Sequence, residues 1–203
     1  MADATLDLEI AELLAARLCH ELVSPIGAIA NGLEILEDEP DLAGDAGALI
    51  ALSTRQASRR LQFYRVAYGA TSIPTDALVR RIASDFFLES KIGFEWRIAA
   101  LPEAWGKLAC NLVLIAAEAL PRGGTVILDG ADAGGISVTA SGEGARLTDP
   151  VSALLAGSAV SEALSARTVQ AAFTAALARR GNAVVEVWPV NVNELALLVK
   201  VKS

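Results

Sequence analysis

The 203-residue sequence contains a single histidine, His20, followed directly by a carboxylate, Glu21. A neutral imidazole nitrogen is a usable nucleophile near pH 7, because its ordinary pKa is about 6.5. Glu21 could hydrogen-bond the other ring nitrogen, fix the tautomer and stabilise charge. The chemistry on offer is group transfer through nitrogen. Read alone, Glu21 is equally an ordinary solvated helix residue, and a lone exposed histidine is most often plain surface. Metal chemistry is disfavoured. Cys19 adjoins His20, but neighbouring helix residues point about 100° apart, and no second histidine exists to complete a zinc site. Cys19 and Cys110 have no motif spacing and are expected to be buried free thiols.

The element that must present His20 is long. Thr5 to about Glu37 has helical periodicity and ends at Glu39-Pro40. Ala11, Leu18, Leu22, Ile29, Leu33 and Leu36 fall on one stripe, and His20 falls opposite it. Ser24, Gly27 and Asn31 align with His20, and Arg17 lies one turn before. Pro25 removes the hydrogen bond to the carbonyl of Glu21 and should bend the helix. A mid-helix proline costs about 3 kcal/mol, so something should compensate for it.

Asp45 to about Tyr68 is expected as a second helix, with Leu49, Ile50, Ala57, Leu61 and Tyr64 on its apolar face. Arg55, Arg59, Arg60 and Arg65 give it a basic side, for which a solvated face is the simplest reading. The short connection predicts an antiparallel hairpin. A hairpin cannot enclose its own apolar stripe, so a homodimer through residues 5–70, forming a four-helix bundle, is expected.

The stretch Gly69 to Pro74 marks a boundary, dividing a helical domain (1–72) from an α/β domain (73–203). Beyond it the pattern predicts helices from Thr75 or Asp76 to Ser90, Pro102 to Leu120 and Ser161 to Arg180. Strands are predicted at 93–99, 125–129, 136–139, 183–189 and 195–201, giving a mixed or antiparallel sheet with helices on one face. The fold class is therefore α+β. The net charge of −7 disfavours nucleic acid as a partner. The longest apolar run, Leu108 to Leu120, is interrupted by Asn111 and Glu118 and is shorter than the roughly 20 residues of a membrane span. The acidic start of the chain is unlike a signal peptide, so a cytoplasmic location is expected.

His20-Glu21-Leu22-Val23-Ser24-Pro25-Ile26 resembles the H-box of sensor histidine kinases, His-Glu-Leu-Arg-Thr-Pro-Leu. Leu18 to Leu36, taken with Asn111 to Gly124, resembles more closely the ChpT-type histidine phosphotransferases of alphaproteobacteria. The resemblance implies a degenerate Bergerat-type α/β sandwich after the hairpin. The departures from the kinase pattern are informative. Asn111 matches the first asparagine of the kinase N-box, but Ile115 replaces the second, which helps hold magnesium. Ala140 stands where the adenine-site aspartate belongs in Ala140-Ser141-Gly142-Glu143-Gly144. Ala159 to Arg167 has no glycine to form a phosphate loop.

The resemblance therefore implies a phosphotransferase in which His20 carries a phosphoryl group between receiver-domain aspartates of response regulators, one of them on a hybrid kinase. No cofactor is expected, since the receiver would supply Mg2+. Arg17, Ser24, Gly27 and Asn31 would flank the docked receiver. An ATP-dependent histidine kinase core and a non-catalytic dimeric adaptor that sequesters regulators are the alternatives.

Overall fold

The computed structural model describes residues 2–69, 74–157 and 164–201, with the side chains of 2–7 and 133 left aside. The expected boundary at residues 72 and 73 lies outside the described residues. Helix α1 runs over Ala2–Asp38 and continues through Pro25. A 3-10 turn at Pro40–Leu42 leads into α2, Ala43–Tyr68. The two helices form an antiparallel hairpin. The crossing is close because α1 presents Gly32 there: a Cβ at that position would sit 2.6 Å from Cγ1 of Ile50.

The hairpin seam is narrower than the expected stripe. Pro25 and Gly32 are buried, while Leu18, Leu22 and Ile29 are half-buried. Ala11, Leu33 and Leu36 are exposed, as is Leu61 on α2. Cys19 is exposed too, whereas Cys110 is buried. The expectation of two buried thiols thus fails at Cys19, because the hairpin leaves that side of α1 uncovered.

Helix α3, Asp76–Phe87, begins with Thr75 Oγ1 accepting from the Leu78 amide, an N-cap that satisfies a free donor. It ends three residues before the expected Ser90. Strand β1, Ile92–Trp96, follows. Helix α4 spans Gly106–Glu118 and starts later than Pro102, because Ala104 takes a positive φ of 65° that interrupts helical geometry. Strands β2, Gly124–Ala131, and β3, Gly135–Ser141, are longer than expected. Only glycine fits at 124: φ is +147°, and a Cβ would lie 2.3 Å from the Ser141 carbonyl oxygen.

A short helix absent from the sequence reading, α5, spans Asp149–Leu155. Helix α6 spans Val169–Arg180, not Ser161–Arg180; residues 164–168 are non-helical and 161–163 lie outside the described residues. Strands β4, Ala183–Asn191, and β5, Glu194–Val201, close the domain.

The sheet order is β1-β2-β3-β5-β4, with β1 parallel to β2 and the remaining pairs antiparallel. Alternation puts Val126, Leu128, Val138, Ala140, Leu195, Leu197 and Val199 into the core, beneath α4 and α6. The architecture is α+β, a helical hairpin followed by an α/β layer.

Candidate functional site

His20 is exposed on α1. Ser24, Gly27 and Asn31, one to three turns on, are exposed as well, and a Cβ at Gly27 would meet nothing within 4 Å. The four residues thus form a row open to an approaching partner. Helical spacing places them together, as anticipated.

Glu21 is placed differently. It projects about 100° from His20, toward α2, where its Oε2 accepts from Arg60 Nη1 at 2.8 Å. The same Nη1 donates to the Glu21 carbonyl oxygen at 2.8 Å. That carbonyl is the acceptor Pro25 leaves without its usual amide donor. Arg60 is thus the compensation that Pro25 requires, and it was not readable as such in the sequence.

Arg17 also turns away from the row. Its guanidinium pairs with Glu118 at the end of α4 and donates to the Ala166 carbonyl at 3.4 Å. Its side chain is only 12% exposed, so it joins α1 to the second domain. Burial pulls the guanidinium's pKa down, but Glu118, Tyr68 and Glu21 together hold it above its ordinary value. Partial burial pushes the Glu118 carboxyl up, against the pull of Arg17.

Behind Arg17 runs a buried polar chain. The Tyr68 hydroxyl donates to Gln170 Oε1, and Gln170 Nε2 donates to Asn111 Oδ1 at 2.5 Å. Asn111 Nδ2 donates to the carbonyls of Ala67 at 2.8 Å and Lys107 at 2.7 Å. Burial pushes the Tyr68 hydroxyl up to about 12. The Lys107 ammonium, lowered by burial and by Arg180, donates to the Gly69 carbonyl beside this chain. Asn111 was singled out by its motif, but its use, anchoring the end of α2, follows only from the fold. Ile115 and Ala140 are fully buried in the apolar core. Among the described residues, no group of three or more His, Cys, Asp or Glu side chains could hold a metal ion.

The geometry therefore offers an open histidine on a helix held from behind. Residues 77–189 match the family described as histidine phosphotransferase C-terminal domain. The chain is 39% identical over 180 residues to the protein phosphotransferase ChpT of Brucella abortus (strain 2308), covering 84% of this chain and 86% of that relative. The chain belongs to the histidine phosphotransferase family. A 1.7 Å structure of a bacterial phosphotransferase matches this histidine phosphotransferase with a TM-score of 0.84 at 33% identity, over 95% of this chain and 96% of the other. The family places the protein in phosphorelay signalling of the two-component type.

Proposed function

We propose that His20 relays a phosphoryl group between the aspartates of two receiver domains. One imidazole nitrogen attacks the phosphorus of the incoming acyl phosphate. A P–N bond forms and the P–O bond to the aspartate breaks, its electron pair staying on the leaving carboxylate. The other ring nitrogen keeps its proton. The second receiver's aspartate reverses the step. Mg2+ and most of the charge stabilisation come with the receiver; this chain contributes positioning. The observation that carries the reading is the exposed row of His20, Ser24, Gly27 and Asn31 on a helix anchored by Arg17 and Glu21.

Two further features support it. Ile115 and Ala140, where an ATP-dependent kinase has polar ligands, pack in the core, which favours a phosphoryl source outside this chain. Val23, Ile26 and Leu33 on α1 and Leu61 on α2 are each at least half exposed. Such an apolar surface favours pairing with a second copy into a four-helix bundle. By length and composition alone, Leu8–Asp38 would also pass as a membrane span. Insertion would require breaking the Arg17–Glu118 and Glu21–Arg60 pairs, so a soluble cytoplasmic dimer is the better reading.

The test is to incubate the protein with a receiver domain carrying labelled phospho-aspartate. Label should move to the parent and not to His20→Ala. Labelling from ATP and Mg2+ without a receiver would instead point to a kinase. Receiver binding without transfer in the parent would point to an adaptor.

A further inference from the structure

Arg60 has no part in the chemistry just described, yet it is the residue of α2 most directly coupled to the helix segment that carries His20. Its single Nη1 bridges two acceptors of one residue, the Glu21 carbonyl oxygen and Glu21 Oε2, each at 2.8 Å. The carbonyl is an acceptor that Pro25, buried at the seam, cannot serve. Without Arg60 the freed carbonyl would tilt out to water, and a helix bends at such a site, convex on the side of the opened carbonyl. His20 precedes Glu21, so its imidazole would move with that bend. The ion pair is partly exposed, at 38% for Arg60 and 31% for Glu21, and so contributes little to stability. Its consequence is geometric: backbone and carboxylate are fixed together, on the side of α1 turned from the partner.

We propose that Arg60 is a positioning residue for phosphoryl transfer, acting by capping the Glu21 carbonyl that Pro25 leaves open. The proposal rests on His20 being the acceptor. Pro25 and Arg60 then form one device. The proline removes the internal donor, and the arginine replaces it with a donor from α2, coupling the His20 backbone to the second helix of the hairpin.

A double-mutant cycle tests this, read as the single-turnover transfer rate from a labelled phospho-receiver at saturating and subsaturating receiver. Arg60→Met keeps the apolar stem and removes the donor. It should lower the saturating rate about tenfold with half-saturation unchanged, as expected for lost positioning. In a Pro25→Ala background the new amide serves Glu21, and Arg60→Met should then lower the rate by less than about threefold. Arg60→Lys, which keeps a charged donor, should fall between Arg60→Met and the parent. Equal losses in both backgrounds, or a change confined to half-saturation, would overturn the proposal. Should circular dichroism show Arg60→Met unfolded, the cycle is run with Arg60→Lys under the same criterion. A parent that takes no label defeats the His20 reading itself, whereas a labelled parent matched in rate by Arg60→Met defeats only the role of Arg60.

Discussion

Helices α1 and α4 carry the two polar motif residues that stand out in the sequence, His20 and Asn111, and they are built in opposite ways. On α1, from Leu8 onward, only Pro25 and Gly32 are buried, and His20 is exposed. On α4, ten of thirteen residues are buried, including Asn111 and Ile115. The polar groups of α1 point outward or brace it from behind, through Arg17 and Glu21. The one polar side chain buried on α4, Asn111, is taken up within the same chain by three hydrogen bonds, two of them to α2 and α6 and one within α4. An open nucleophile can be reached by a protein partner. A closed asparagine serves as structure. The contrast fits the proposed phosphotransferase, in which the exposed His20 makes the transfer while Asn111 holds the fold.

The contrast can be broken most severely at Asn111. Asn111→Leu would leave the Ala67 carbonyl and the Gln170 amide without partners in the interior, at a cost of about 3 kcal/mol. Urea unfolding should show the midpoint falling with little change in slope. A loss below about 1 kcal/mol would mean that the buried chain is not structural.

The next effect is a pH limb confined to the buried side. Burial pushes the Cys110 thiol from an ordinary value of 9.0 up to about 12. Its folded pKa is raised, so the folded state keeps a proton that the unfolded state releases. Stability is full below pH 9.0 and falls as pH rises toward about 12. The slope for Cys110 alone is at most about 1.4 kcal/mol per pH unit. Tyr68, also raised to about 12, adds to the fall above its ordinary value of 10.0. Thermal melts of Cys110→Ala across this range should show a shallower decline than the parent.

The smallest stability effect belongs to the open face of α1. Ile26 is 56% exposed, so Ile26→Glu should change unfolding free energy by no more than about 0.5 kcal/mol. In the proposed dimer a charge would then stand in the apolar face between copies, so analytical ultracentrifugation should show the mass halved. A variant that stays dimeric would move the interface elsewhere.

Much of this contrast was legible in the residues. His20 stands alone in composition, helical spacing aligns it with Ser24, Gly27 and Asn31, and the replacements at Ile115 and Ala140 are visible by position. What was not legible depends on register between distant segments. Arg60 reads as one of four arginines on a basic side, and only the hairpin pairing brings it to Glu21, 39 residues away. Arg17 reads as a neighbour of His20, yet α4 and its Glu118 capture it across 101 residues. The missed helix α5 did carry a start signal, Thr148 before Asp149 and Pro150. Apolar spacing upstream of α6 imitated a helix that begins only after Thr168.

The central claim is that His20 is the phosphoryl carrier. It is tested most directly by incubating parent and His20→Ala with a labelled phospho-receiver and then with a second, unlabelled receiver, with both variants confirmed folded. The account predicts acid-labile, alkali-stable label on the parent, its passage to the second receiver, and no label on His20→Ala. Label retained by His20→Ala would contradict it.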